Sequence, residues 1–406
     1  MLSAAGRRTT AAARSALPVR QDTEKNFFGK TLFCPFGGND MQQIPICRPD
    51  ERAGLVLREL YHRHGYQPYR MSKFEPYDLY VRNKSFLVSE NILTFTDTDG
   101  RLMALKPDVT LSIVKNAQAP AGALEKVYYS ENVYRTSPAS VGYREIMQTG
   151  LECIGALDAA AVGEVLILAA ESLAALGGGA YLLDLGHMEL VAGLLEGLAE
   201  GVRTELLAEL GRKNMTAIRS LCAQAGAPHR LADRLCRLSR LYGTPEEVLP
   251  QLEELAEGPR VRAALDELAE LCGVLECRGL LENLRLDFSI ANNMSYYNGI
   301  IFRGYLPGLA GGVLAGGRYD NLMRRMGKTG GAVGFAVYLD QLERLDGDSG
   351  CDVDVLLLYG PGDSPAAVAR RAGALMSQGK SVRTERGVPA GLRCREIVRF
   401  GEGGEA

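Results

Sequence analysis

A Leu-, Ala-, Glu- and Arg-rich block from 188 to 283 separates two stretches that read as strands, and this separation constrains the fold more than any other feature. Inside it Leu190, Leu194, Leu195 and Leu198 follow one stripe at helical spacing. The block reads as an all-helical insertion, so the strands on either side must close one structure across it. Upstream, Leu55, Leu57, Leu60 and Tyr61 predict an amphipathic helix that starts at Pro49 and stops at Gly65. Residues 66–71 read as a strand. Residues 92–105 read as a hairpin turning at Asp97-Thr98-Asp99-Gly100. A short helix is expected over 108–116 and two further strands over 126–135 and 148–155. A helix over 161–177 is ended by Gly177-Gly178-Gly179. Strand character returns at 284–303 and 311–316, and 331–345 combines strand and helix. A βαβ-like unit follows, with a strand over 353–360, a helix over 365–378 and a strand over 381–385. Hairpins connect most strands, which predicts an α+β fold with a largely antiparallel sheet flanked by helices.

The chain has 406 residues, enough for two or three domains. The reading divides it into an extension (1–40), a core (41–187 with 284–347), the helical insertion, and a small α/β unit (348–406) with a disordered tail after about Gly401. A net charge of -3 gives no global electrostatic reason to bind nucleic acid. Nine cysteines without a CxxC pair, beside four histidines, provide no metal-site spacing and fit a reducing cytosol. No apolar run reaches ~18 residues, so no membrane span is expected. Arg7, Arg8, Arg14 and Arg20 precede the first acid, Asp22, a composition that mimics a transit peptide. A start at Met41 is the favoured reading, because helical periodicity begins only beyond it.

Several residues suit a small charged ligand. In Lys106-Pro107-Asp108-Val109-Thr110, a carboxylate and a hydroxyl two residues apart suit an ammonium group, although Asp108 also fits a helix N-cap. The Arg135 guanidinium suits a carboxylate or phosphate. Gln148 and Glu152 share one face of a strand, and a polar pair in apolar company is costly unless it meets a ligand or partner. Tyr296 and Tyr297, adjacent on an expected strand, would point to opposite faces, one lining a pocket. Gly316-Gly317-Arg318-Tyr319-Asp320 reads as a glycine-rich turn where backbone can approach a ligand.

Together and in this order, these motifs over roughly 50–345 resemble the catalytic core of class II histidyl-tRNA synthetases. The resemblance implies a histidine pocket of Asp108, Thr110, Arg135, Gln148, Glu152, Tyr296 and Tyr297, with Arg144 matching a later arginine of the second motif. It also marks losses. Asn292 stands where that family has its activating arginine and Gln341 where it has an arginine that clamps ATP. Tyr338 replaces a small residue and Asp340 a glutamate. Removing such preorganised charges typically lowers rate by ~10²-fold or more each. A synthetase-like core of this kind, with a shortened C-terminal unit, resembles the regulatory subunits of ATP phosphoribosyltransferase. That implies a non-catalytic chain without cofactor or metal, paired with a short catalytic subunit, responsive to histidine as effector, self-associating, and unlikely to bind tRNA. The alternative is a divergent amino-acid-activating ligase. A third reading is a scaffold with no small-molecule ligand.

Overall fold

The computed structural model describes residues 48–87, 92–119, 122–136, 142–290, 296–344 and 351–401. The expected extension, the start at Met41, Asn292 and the tail beyond Gly401 lie outside these residues.

Helix α1 (Pro49–Arg63) begins with Pro at its first position, and Glu51 Oε2 accepts the Arg48 N–H at 3.0 Å. Leu57, Leu60 and Tyr61 are buried as expected, whereas Leu55 is 40% exposed and faces away from the core. The strand expected over 66–71 shrinks to β1 (Gln67–Pro68), since Pro68 has no N–H for a ladder. Strands β2 (Phe74–Pro76), β3 (Thr94–Thr96) and β4 (Leu102–Leu105) form a separate antiparallel sheet, with α2 (Tyr77–Arg82) after the first. The expected turn closes it: Asp97 Oδ1 accepts the N–H groups of Asp99 and Arg101, each at 2.9 Å, and Gly100 has φ +77.

Helix α3 (Thr110–Asn116) leads into β5 (Leu124–Thr136) and β6 (Tyr143–Gly155), a long hairpin paired from Leu124 opposite Gly155 to Thr136 opposite Tyr143. Helix α4 (Ala159–Leu176) is capped by Asp158, whose Oδ1 accepts the Ala161 N–H at 2.8 Å. By length and composition α4 could cross a membrane, contrary to expectation, with mean hydropathy 1.8 over its 18 residues. Here it is a core helix: Val165, Leu166, Leu168, Ala169 and Leu173 are buried against the sheet and its neighbours.

After β7 (Leu182–His187) come helices α5 (Met188–Leu194), α6 (Glu200–Gly211), α7 (Met215–Gln224) and α8 (His229–Leu238). The two-residue strand β8 (Tyr242–Gly243), α9 (Pro245–Glu253) and α10 (Pro259–Cys277) complete the run, so the stretch is not purely helical. Helix α10 packs on α4 and α5. Gly163 permits the approach, because a Cβ there would lie 2.7 Å from Val274 Cγ1.

Strand β9 (Leu284–Asp287) ends in a short turn at Phe288–Ile290, and the next strand, β10, starts only at Ile300 (Ile300–Tyr305). The continuous strand expected over 284–303 is therefore broken. Strands β11 (Leu314–Arg318) and β12 (Gly331–Tyr338) flank α11 (Asp320–Arg325), and a single 3-10 segment follows at Leu339–Arg344. The main sheet has nine strands in the order β1-β5-β6-β12-β11-β10-β7-β9-β8. Only β1/β5 and β7/β9 pair in parallel, so the sheet is mixed but mostly antiparallel. One face packs on α1 and α4: Tyr61 meets Tyr128 and Phe335 at ring separations of 6.3 and 5.8 Å. The other face buries Val127, Tyr129, Val133 and Ile154 in a second apolar cluster with Tyr80, Leu111 and Ile113, and a cavity opens beside that cluster.

The C-terminal unit holds β13 (Val353–Leu358), α12 (Pro365–Met376), β14 (Val382–Glu385) and β15 (Cys394–Arg399). Its parallel sheet runs β14-β13-β15, with a small core of Leu357, Val368 and Ala372. Strand β15 itself carries Arg395, Glu396 and Arg399 among its six residues, and the sequence reading did not reveal it.

Candidate functional site

On this second face, β6 and β12 form the floor of a cavity whose empty space, with the open solvent at its entrance included, is about 580 Å³. The floor is a ladder of facing pairs: Glu152 opposite Gly334, Gly150 opposite Ala336, and Gln148 opposite Tyr338. Alternation of side chains along a strand brings these residues, two apart, to one face. All seven residues singled out by sequence line the cavity.

Glu152 lies at one end, 2% exposed. Thr110 Oγ1 donates to its Oε1 at 2.7 Å, and the Tyr319 hydroxyl donates to Oε2. Burial pushes its pKa up to about 8; the two hydroxyl donors pull it down, and the Asp108 charge adds a smaller upward push. Gly334 is required beside it, because a Cβ there would overlap Oε2.

Asp108 takes the capping role the sequence allowed, and its second carboxylate oxygen faces Arg135. Its Oδ1 accepts the Leu111 N–H at 2.8 Å, capping the start of α3, and its Oδ2 lies 3.8 Å from Arg135 Nη2. Burial raises its pKa, opposed by the Arg135 charge and by the backbone N–H groups of Leu111 and Thr110. Arg135 is fixed by donating from Nε to the Pro107 carbonyl at 2.6 Å. Gln148 is 2% exposed, and its buried Nε2 has no hydrogen-bond partner among the described residues. An orphaned buried amide costs roughly 1–3 kcal/mol, which a ligand acceptor would recover.

The paired tyrosines depart from expectation. They precede β10 in a turn rather than sitting on a strand, and both line the cavity with ring centroids 4.5 Å apart. The glycine-rich segment is also not a turn: Gly316 and Gly317 lie within β11. A Cβ on Gly317 would come 2.7 Å from Tyr297 Cδ1, so this glycine makes room for the Tyr297 ring rather than for a ligand directly.

Arg144 is exposed, opposite Arg135 on the hairpin, and does not line the cavity. Gln341 is half-buried in the segment after β12, also off the lining. Sequence reasoning did not place Tyr129 or Tyr319 in the site; it read Tyr338 as a bulky replacement intruding on a neighbouring nucleotide site, and the structure puts Tyr338 on the cavity lining. Tyr319 carried a signal, its place in the glycine-rich segment, while Tyr129 shares a face with Gly150 across the hairpin.

Two carboxylates and one guanidinium therefore line a cavity whose other described residues are Gln148, Phe335, five tyrosines and small residues. Asp108 beside Arg135 can receive a zwitterionic head, an ammonium on the carboxylate and a carboxylate on the guanidinium. Glu152, with the hydroxyls of Thr110 and Tyr319, suits a polar, protonatable side chain. A polyphosphate would face two acids and a single base, which disfavours it.

The family model of histidyl-tRNA synthetases matches residues 49–342. An ATP phosphoribosyltransferase regulatory subunit of Clostridium kluyveri is 31% identical over 320 residues, 76% of this chain and 80% of that one. The chain belongs to the histidyl-tRNA synthetase family, in its branch of ATP phosphoribosyltransferase regulatory subunits. The fold of this regulatory-subunit branch extends past the matched region. A regulatory subunit/histidyl-tRNA synthetase from Bacillus halodurans superposes with a TM-score of 0.70, covering 92% of this chain and 99% of that one at 24% identity. An ATP phosphoribosyl transferase complex from Thermotoga maritima contains a chain of the same fold, with a TM-score of 0.56 over 70% of this chain and 96% of that one at 19% identity.

Proposed function

We propose that this chain is the regulatory subunit of an ATP phosphoribosyltransferase and that its cavity senses free histidine. Catalysis, the formation of phosphoribosyl-ATP from ATP and phosphoribosyl pyrophosphate, belongs in this reading to a separate short subunit in the cytosol. The observation that carries it is a cavity on which Asp108, Thr110, Gln148 and Glu152 converge, with Arg135 as the one cation among the described residues that line it. Histidine meets each demand: ammonium on Asp108, carboxylate on Arg135 and the orphaned Gln148 amide, imidazole on Glu152. Its binding would shift the equilibrium between quaternary states of the complex, which self-association of this chain would propagate. The core over 41–187 and 284–347 then carries the sensor, 188–283 serves as a structural insertion, and 348–406 is a reduced C-terminal unit.

The test is co-expression with the short catalytic chain of the same genome, assaying phosphoribosyl-ATP formation with and without histidine. Activity that depends on this chain and falls with histidine supports the reading. A complex whose histidine response survives Glu152→Ala makes the chain a scaffold only. Failure to co-elute, together with histidine-dependent exchange of pyrophosphate into ATP, makes it a ligase.

A further inference from the structure

The middle of the cavity floor owes its polar group to the neighbouring strand. Tyr129, Gly150, Ala336 and Ala315 stand opposite one another across the sheet, in a row between that of Glu152 and that of Gln148. The other three are glycine or alanine, so Tyr129 alone has the length to reach over the row. It does so at Gly150, where a Cβ would lie 2.6 Å from the Tyr129 hydroxyl oxygen and 2.8 Å from the ring carbon that bears it. The phenol thus crosses onto β6 and covers the glycine. Its hydroxyl lies on the floor between Glu152 and Gln148, which are about 13 Å apart along an extended strand.

Packing alone does not call for that hydroxyl. The ring belongs to the apolar cluster of Val127, Val133 and Ile154, and phenylalanine would serve those contacts equally. Tyr129 is 2% exposed, yet its hydroxyl makes no hydrogen bond among the described residues. A buried hydroxyl without a partner is costly, and a ligand that pairs with it recovers the loss. Burial pushes its pKa well up, and the Glu152 and Asp108 charges add to the shift, so the group stays an O–H donor across the physiological range. One row away, Gln148 Nε2 is a second donor with no partner among the described residues. A ligand held by both Glu152 and Gln148 has to cross Gly150, and there it meets the Tyr129 hydroxyl.

We propose that Tyr129 is a specificity-determining residue: its hydroxyl donates a hydrogen bond to the unprotonated ring nitrogen of a histidine whose side chain lies over Gly150. This rests on the amino-acid reading of the site. Glu152 accepts the N–H of the same ring, so the two groups together read one donor and one acceptor, the pattern of neutral imidazole. A five-membered ring without nitrogen fills the same space and leaves both unpaired, which is how a polar site rejects an isostere.

The probes are L-histidine and β-(2-thienyl)-L-alanine, whose ring resembles imidazole in size but has no nitrogen. Both are titrated by calorimetry into the full chain and its Tyr129→Phe variant, and the melting temperatures of the ligand-free proteins are compared. Tyr129→Phe should melt within about 2 °C of the wild type, because it loses no internal hydrogen bond. It should bind histidine at least about tenfold more weakly and thienylalanine no more weakly than the wild type does. Where thienylalanine binds neither protein, the loss for histidine beside an unchanged melting temperature supports the proposal. Equal histidine affinities in the two proteins overturn it, and so does an equal loss for both probes, which marks a change of shape. A variant that melts well below the wild type makes the hydroxyl structural and also overturns it. A wild type that binds no histidine overturns the amino-acid reading and this assignment with it, whereas binding that the variant leaves unchanged overturns the assignment alone.

Discussion

Glu152 ties the stability of the fold to pH. Its carboxyl holds a proton up to about pH 8 in the empty fold, against an ordinary value of 4.5. Between those values the folded chain binds more protons than the unfolded one, so stability falls as pH rises through that window. Glu152→Gln keeps the shape and removes the ionisation. Melting temperatures from about pH 5 to pH 8 should fall less steeply for the variant than for the wild type. In the proposed reading the same variant should bind histidine at least about tenfold more weakly above about pH 8, where the wild-type carboxyl is ionised and an amide cannot match a charge-assisted acceptor. Gly334→Ala makes the steric case: a methyl group forced onto Oε2 should abolish binding and destabilise the fold by about 1–3 kcal/mol, checked by calorimetry and urea unfolding. Residues of this kind were legible where period-two spacing alone determined their direction, as with Gln148 and Glu152. Rings were less so. Tyr296 and Tyr297 read as alternating only if the chain stays extended, and it turns just before β10. Tyr338 was legible as a bulky replacement, and its pairing opposite Gln148 shows which face it occupies.

At the scale of elements, junctions carry strain that periodicity does not announce. On β7, Asp184 is 5% exposed with Oδ1 unpartnered, and burial together with the neighbouring Asp287 pushes its pKa up to about 6. Lys213, which follows α6 with φ 55, pairs with Asp287 at 3.3 Å, and Arg303 and Arg285 add opposing charge. Ionised Asp184 therefore opposes folding at neutral pH. Asp184→Asn should stabilise the chain there by roughly 1–2 kcal/mol and flatten the loss of stability between about pH 4 and pH 6, read from urea midpoints at several pH values. The contact of α4 with α10 makes the opposite demand, for a small residue. Gly163→Val should cost about 1–3 kcal/mol by the same measurement, since Val274 already fills the space a side chain would need. Long helices and the hairpins around Gly100 and between β5 and β6 were readable, because caps, turn residues and apolar stripes are local signals. The break between β9 and β10 was not, since only packing decides where a β-prone run leaves the sheet.

For the whole molecule, the sequence pointed to one sheet closed across a helical stretch, and the nine-stranded order shows how: β7 enters the helices, β9 returns beside it in parallel, and β8 joins at the edge. The cavity occupies the opposite half of the sheet, on β5, β6, β12 and β11, so its residues come from segments nearly two hundred positions apart. The C-terminal unit has a core of its own, with α12 packed on β13 and β14, and contributes no residue to the cavity. Ending the chain at 347 should therefore leave one cooperative thermal transition, a melting temperature within about 5 °C of the full chain, and an unchanged affinity for histidine. Circular dichroism and calorimetry on the shortened chain check both. A broad transition would make the unit part of the main cooperative structure, whereas intact binding with lost association to the catalytic chain would make it the docking element. Either result assigns the unit a role that its few buried residues cannot, because a core this small fits an independent appendage and an interface equally well.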